Sequence, residues 1–447
     1  MKYGDEIIGT IQDIDDKGRG FFITETDTGA KRTIVIPFTS VGDLVRATVR
    51  KRERGHTLAE IVSIEEPAPT RVETPCPHAG ICGGCLWQHM AYDAQLELKR
   101  DMINRAFEHA HHEERIDAVM PCPNVFYYRN RMDYVISWRG EVGMKAYGYW
   151  NRYLDLKTCL LLDKETPNIL AEVRTLITDL KIQPWDPKSA DGNFHYCVIR
   201  LGKNTGERMI MLLFHSLSAL EASTIEEIKK RLSPLCTTLC LGENPEDNDV
   251  SRAKTIQHLS GNELLKENIN GLTYSIHANS FFQTNSVMAA ELQKTVLDFC
   301  GNIEGKKVLD LYCGLGFFGI AAAKKRAQVY GHELDADAIE LAQKNAEAND
   351  VATLCRWGAG EVEKLDWKTE NPDVVIVDPP RAGLHPKALQ TLMKNAPHKI
   401  VYVSCNYRRL AEELKVFKTD YKVETIRALD LFPQTPHVEV VARLTHI

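Results

Sequence analysis

Residues 271–447 carry the pattern that most restricts what this chain can fold into. Four apolar runs, KKVLDLYC, AQVYGHEL, DVVIVDPP and KIVYVSC, alternate with segments of helical periodicity such as 337–349. Runs that are apolar throughout suit strands buried on both faces, and their alternation with helices predicts an α/β, doubly wound, mostly parallel sheet. Open sheets of this kind collect ligands beyond the carboxyl ends of their strands, so the residues after each run are where chemistry is expected.

The rest of the chain reads differently. At 447 residues it exceeds one core, and two or three domains are expected. Over residues 5–64 short strand-like runs (EIIGTIQDI, GFFITET, RTIVIPF, LVRATVRK, TLAEIVSI) separated by Gly and Asp turns predict a small closed β-barrel. A Pro-rich connector follows at 65–77. The expected organisation is a barrel over 1–66, a mixed α/β central domain over 67–270 with helices near 94–109 and 221–232, and the doubly wound domain over 271–447.

The net charge of −6 excludes a nucleic-acid coat, whose affinity needs overall positive charge, but leaves room for a local basic track. Arg46, Arg50, Lys51, Arg52 and Arg54 offer one; a solvated charged hairpin is the plainer reading of the same residues. The start of the chain carries Asp5 and Glu6 in place of a basic segment and apolar run, and no stretch approaches a membrane span. A cytoplasmic location without a membrane partner is expected, and no obligate protein partner is evident. In that compartment the twelve cysteines serve as buried thiols, metal ligands or catalytic groups.

In LDLYCGLGFFGI, Gly314 and Gly316 stand between an apolar strand and a helix, where backbone can approach a ligand closely. Glu333 ends the next strand, the place of an acid that holds a ribose hydroxyl pair. A third glycine and a GK[ST] sequence are both missing, which disfavours pyrophosphate and triphosphate ligands. S-adenosylmethionine, with a ribose and no phosphate, fits better.

Asp378, Pro379 and Pro380 follow the third run; the prolines stiffen the strand exit and present an edge suited to a flat base. Cys405 ends the fourth run between Ser404 and Asn406. A lone cysteine is more often packing than chemistry. Here the surroundings favour chemistry, because carbon 5 of uracil accepts a methyl group only after a thiolate adds at carbon 6 and makes the ring an enolate. The carbon 5 proton must then leave, which requires a base. Glu439, after the Pro-bracketed turn in LDLFPQTPHVEVVARL, is the candidate, with His437 a lesser one.

Cys76, Cys82 and Cys85 form C-x5-C-x2-C in a Gly-rich loop. Three thiols in ten residues point to a metal, zinc or a [4Fe-4S] cluster, with Cys122, Cys159, Cys197 and His78 as candidates for a fourth ligand. Arg129 and Arg131, interleaved with tyrosines in YYRNRMDY, form a weaker candidate RNA contact.

The set DPPRAG, SCN and FPQTPHVE, preceded by HANSFFQTN, resembles the class I RNA uracil-C5 methyltransferase family of tRNA and 23S rRNA enzymes, over essentially the whole chain. The resemblance implies a Rossmann-like methyltransferase domain in which Gln283, Tyr312, Glu333 and Asp378 bind S-adenosylmethionine, Cys405 is the nucleophile and Glu439 the base. It also implies a [4Fe-4S] cluster in preference to zinc, with Cys159 as fourth ligand and a structural role, and an RNA partner, rRNA or tRNA. The N-terminal barrel resembles a TRAM domain, in which Phe21 or Phe22 and the basic run would meet RNA if not simply core. Two residues depart from the family pattern: Phe317, where several relatives carry a polar cofactor contact, and Tyr407, where a proline often follows Cys-Asn. Cys313 is expected to be packing. An N-methyltransferase would leave Cys405 and Glu439 without a role, a radical methylthiotransferase needs C-x3-C-x2-C, and a non-catalytic zinc-stabilised RNA-binding protein would not need the cofactor motif.

Overall fold

The computed structural model describes residues 2–25, 29–365 and 370–447. The chain forms two compact units: Met1–Met102 with Met144–Leu154 and Phe432–His437, and Ile103–Gly143 with Asp155–Leu431 and Val438–Ile447.

The first unit contains strands β1 (Glu6–Thr10), β2 (Asp13–Ile14), β3 (Gly20–Glu25), β4 (Lys31–Ile36), β5 (Leu44–Glu53) and β6 (His56–Glu66), joined in the order β1-β5-β6-β4-β3-β2. Thr26, the last residue of the expected run GFFITET, lies outside the described residues. Alternate side chains of β5, Val45, Ala47 and Val49, are buried, and Val45 and Ala47 pack with Ile11, Phe22, Ile34, Ile36 and Ala59. The sheet curls because its two ends meet. A Cβ on Gly9 of β1 would lie 2.5 Å from the Phe22 ring of β3, so only glycine permits that approach. The connector is tied to this barrel through Arg71, which pairs with the buried Asp43 carboxylate at 2.7 Å and donates to the Phe38 carbonyl at 3.0 Å. Helix α1 (Tyr92–His109) starts in this unit. Its Gln95 exchanges two hydrogen bonds with Gln434, each 2.9 Å, and the Trp87 amide donates to the Gln434 carbonyl at 2.9 Å. A six-residue excursion from the far end of the chain thereby completes the N-terminal unit.

The second unit contains β7 (Val119–Met120), β8 (Arg131–Ile136) and the start of β9 (Val142–Lys145); the end of β9 and most of β10 (Tyr153–Asp155) fall in the first unit, and the chain continues through α2 (Thr166–Asp179), β11 (Phe194–Leu201), β12 (Arg208–Phe214), α3 (Ala222–Leu232), β13 (Thr238–Glu243) and β14 (Thr255–Gly261). Strand β11 pairs antiparallel with β8 and β12, and β12 runs parallel to β13. Every residue of β11 and all but one of β12 is buried. A hairpin, β15 (Leu265–Ile269) and β16 (Leu272–Ile276), and helix α4 (Ser286–Cys300) lead into the doubly wound part. There follow β17 (Lys307–Leu311), α5 (Phe317–Lys324), β18 (Gln328–Glu333), α6 (Ala336–Ala348), β19 (Cys355–Ala359), β20 (Val374–Val377), α7 (Pro386–Asn395), β21 (Lys399–Ser404), α8 (Tyr407–Phe417), β22 (Tyr421–Leu429) and β23 (Glu439–His446).

The resulting sheet has the order β19-β18-β17-β20-β21-β23-β22-β7. Its first five strands are parallel, and β23 inserts antiparallel between β21 and β22. The four apolar runs became β17, β18, β20 and β21. The chain leaves β17 toward β18 on one side and returns to β20 on the other, so the crevice of the topological switch point opens between β17 and β20. Among the described residues no helix is long and apolar enough to cross a membrane.

Candidate active site

Six sequence-predicted residues gather at that crevice. Tyr312 turns the chain out of β17 with φ 61°, and its amide donates to the His332 carbonyl at 2.9 Å. Gly314 and Gly316 also have positive φ, 52° and 87°. A Cβ on Gly316 would crowd Ile320 and Trp357 at 2.9 Å, whereas one on Gly314 would meet nothing within 4 Å, so the Gly314 backbone borders open space. Glu333 accepts hydrogen bonds from the amides of Gly314 (3.2 Å), Leu334 (2.7 Å) and Asp335 (3.1 Å), which lock the two strand exits together. Gln283 donates to Asp378 at 3.4 Å and is itself held by Asn130, whose amide reaches the Gln283 carbonyl at 2.8 Å. Burial raises the Asp378 carboxyl to about 7.

Sequence reasoning passed over Asp310. It sits inside β17, fully buried; one oxygen accepts the Gly319 amide at 2.8 Å and the other has no partner among the described residues. Burial raises its carboxyl to about 8. The signal was a lone acid within the apolar run VLDLYC. An open glycine turn, a ribose-type acid and an orphaned carboxylate oxygen beneath them fit a polar nucleoside ligand.

The chemistry residues meet across β21 and β23. Their antiparallel ladder ends at the pair Ser404 and Val440, so Cys405 follows at the level of Glu439. Side chains directly opposed in such a ladder have Cβ atoms about 4.5–5.5 Å apart. Cys405 is half-buried; burial first, then Glu439 and Asp378, pushes its thiol up to about 12, against the opposing pull of Arg381. Glu439 is 4% exposed, and burial, reinforced by Asp378, holds its carboxyl well above the usual range. Burial thus favours the neutral forms of both Cys405 and Glu439, with Asp378 and Arg381 near enough to act on the thiol electrostatically.

Both loops bearing this chemistry are fastened by Glu413 of α8. Its carboxylate accepts Leu384 N at 3.0 Å and Arg409 Nε at 2.7 Å, and takes the Tyr402 hydroxyl. A Cβ at Gly383 would stand 2.3 Å from that carboxylate. Asn406 caps α8 and donates to the Arg381 carbonyl at 3.0 Å, joining the loop after Asp378 to the turn at Cys405.

Other predicted residues lie elsewhere. Arg131 forms a two-pronged pair with Asp133 at 2.8 and 3.1 Å, and the Arg129 amide donates to Leu161 at 2.9 Å. His437 belongs to the 432–437 segment of the first unit, its ring edge-on to Phe432. Phe317 is buried, and its carbonyl accepts from Tyr274 at 3.0 Å and Gln293 at 2.8 Å; Tyr407 and Cys313 are also buried. Phe22 is in the barrel core and Phe21 is half-buried. Arg46 pairs with Glu65 at 2.9 Å, while Lys51, Arg52 and Arg54 are exposed. All twelve cysteines are free thiols; Cys76, Cys82 and Cys85 share one loop of the first unit and Cys159 lies buried in the second. Among the described residues no group of three or more His, Cys, Asp and Glu side chains is gathered to hold a metal ion.

Comparison with known proteins supplies the chemical context. The family model for tRNA (uracil-5-)-methyltransferase matches residues 91–447. A tRNA (uracil(54)-C(5))-methyltransferase of Pyrococcus horikoshii is 34% identical over 98% of this chain and 99% of its own length. A 23S rRNA (uracil(747)-C(5))-methyltransferase of the same organism is 32% identical over 96% of this chain and 98% of its own. The solved structure of Pyrococcus abyssi tRNA (uracil-54, C5)-methyltransferase in complex with S-adenosyl-L-homocysteine superposes with a TM-score of 0.81 at 32% identity, over 98% of this chain and 100% of that one.

Proposed function

Since this chain belongs to the tRNA (uracil-5-)-methyltransferase family, and S-adenosylmethionine-dependent methylation of uracil carbon 5 in RNA is therefore its activity, we propose that Cys405 is the covalent nucleophile and Glu439 the proton acceptor. The observation that supports this most is the β21–β23 register, which brings the two side chains to one level at the strand ends. Gln283, Tyr312, Glu333 and Asp378, with the Gly314 and Gly316 backbone, would hold the cofactor. When bound, the cofactor supplies an electrophilic methyl group on a sulfonium.

The residues of the chain do the rest. The half-buried Cys405 thiol releases its proton to solvent and its sulfur bonds to carbon 6, so that the ring's electron pair moves to carbon 5 and the carbonyl oxygen beyond it. Arg381 favours the thiolate needed for that addition. After methylation carbon 5 carries both a methyl group and its original proton. Glu439, as carboxylate, takes that proton, the carbon 5–carbon 6 double bond re-forms and the carbon–sulfur bond breaks. Glu439 has to reach its carboxylate form for this step, against the burial that favours the protonated one. The uridine must leave its stack to expose carbon 6.

The RNA is tRNA or 23S rRNA, and residues 1–66 serve as a TRAM-like RNA-binding module beside a central domain, 67–270, and the methyltransferase domain, 271–447. Cys76, Cys82, Cys85 and Cys159 are proposed to carry a structural [4Fe-4S] cluster. Their thiols are free to ligate, binding would have to gather them because no such group is assembled among the described residues, and no step of the reaction uses the cluster. Iron and acid-labile sulfide in anaerobically purified protein test that assignment; their absence rejects it. The reaction is tested by methylating total RNA that lacks the modification and mapping 5-methyluridine. Normal methylation by Cys405→Ala rejects the covalent route.

A further inference from the structure

The first unit carries a cleft of about 470 Å³ that the proposed reaction does not use. Residues of β5 and β6 line it together with Gly80, Ile81, residues 146–149 and Arg152. One lining residue, Tyr149, is an aromatic ring fixed from several sides. Arg50 lies over Tyr149, 3.3 Å from the ring centroid, and pairs with Glu60 at 3.1 Å; the Tyr149 hydroxyl donates to Glu60 at 2.7 Å. Arg152 stands 5.4 Å from the same ring. Phe38 enters the cleft with φ 65°, a conformation that costs a bulky side chain energy, and is held there by the Arg71 bond to its carbonyl.

Two groups of charges in the cleft must be separated. Arg19 is neutralised by Asp15 at 2.7 Å, and Arg50 by Glu60. Lys17 and Arg152 are exposed and have no acidic partner among the described residues. Beside them, outside the cleft, Trp150 is 64% exposed. Unpaired cations next to presented aromatic faces are what a nucleic-acid strand requires: phosphates meet the first and bases stack on the second. An acidic peptide would satisfy the cations and leave the aromatic faces unused.

We propose that this cleft is a subsite for a single-stranded stretch of the RNA substrate, with Lys17 and Arg152 on backbone phosphates and Trp150 and Phe38 against bases. The inference rests on the RNA-methylating reading and extends it to a surface separate from the candidate catalytic residues. It also replaces the basic run as the main contact of the barrel, since Arg46 is paired with Glu65 and only Arg50 of that run lines the cleft.

The test uses the full chain and a fluorescently labelled single-stranded RNA oligonucleotide, titrated by anisotropy over a salt series. K17E/R152E is expected to bind about tenfold more weakly and to lower the slope of log Kd against log salt by roughly 1.4, at about 0.7 per phosphate contact. K17R/R152K keeps wild-type affinity, and W150A loses roughly tenfold with the salt slope unchanged. S-adenosylmethionine affinity stays at the wild-type value in every variant. K17E/R152E with wild-type Kd and slope overturns the proposal, as does W150A with wild-type Kd, or displacement of the RNA by polyglutamate at equal charge. A wild-type chain that binds the oligonucleotide yet forms no 5-methyluridine in total RNA rejects the catalytic reading and leaves the subsite standing.

Discussion

Replacing Glu439 by glutamine separates the two halves of the proposed reaction. The amide keeps the size of the carboxyl but cannot take the carbon 5 proton. Attack by Cys405 and methylation precede that step, so the first turnover proceeds and stops at the methylated adduct. General-base assistance contributes about 10²–10⁴-fold. Glu439 is 4% exposed, which leaves little room for water to substitute, so the upper part of that range applies: multiple turnover falls by about 10³–10⁴-fold, or about 4–5.5 kcal/mol in barrier. The assay is incubation with RNA and methyl-labelled cofactor, followed by denaturing electrophoresis. A labelled protein–RNA band should accumulate to one methyl per chain and persist in denaturant. The substitution should also raise thermal stability at pH 8. The folded state keeps a proton on Glu439 that the unfolded chain has released above the ordinary carboxylate range, so stability is lost as pH rises from there toward the elevated folded value. Glutamine removes that loss. Wild-type turnover, or a burst with no denaturant-resistant complex, refutes the assignment of Glu439.

Three further outcomes follow from the same geometry. Cys405→Ala should form no adduct with RNA containing 5-fluorouridine while still binding cofactor by titration; an adduct in this variant assigns the nucleophile elsewhere. Asp310→Asn should flatten the decline in melting temperature of the cofactor-free protein between pH 6.5 and 8, because the wild-type carboxyl, raised to about 8, loses stability as pH climbs from the ordinary carboxylate range through that value. A wild-type pH slope in the variant contradicts this. Glu413→Ala should cost about 1–3 kcal/mol in urea unfolding, since it strands the buried Tyr402 hydroxyl; Glu413→Gln, which can still accept the Leu384 amide, should recover part of it.

The doubly wound sheet was legible because β17, β20 and β21 are buried on both faces and read as mostly apolar runs. Strand β19, CRWGA, lies at the sheet edge and carries no such run. Strand β7 is two residues long and is defined by its partner β22, far away in sequence. Cys405 and Glu439 were readable as types of residue at strand ends, but their opposition depends on β23 entering antiparallel, which no local pattern fixes. Asp310 was hidden by its own burial, since an acid inside an apolar run reads as an exception until its hydrogen bond to Gly319 is seen. The Glu413 clamp joins Leu384, Tyr402 and Arg409 from three different elements, and helical periodicity alone gives it no distinction.

The pairing of Gln95 with Gln434 spans 339 residues of chain. During synthesis α1 leaves the ribosome long before its partner exists. At about 5–20 residues per second the intervening stretch takes on the order of half a minute to make. For that interval Gln95, Trp87 and Lys99 wait without the backbone of residues 432–434 that they hold in the finished molecule. The N-terminal unit therefore cannot mature in order of birth, and a fragment cut after α1 lacks part of its own structure. A nascent-chain protease footprint of the barrel region should tighten only when the final residues emerge.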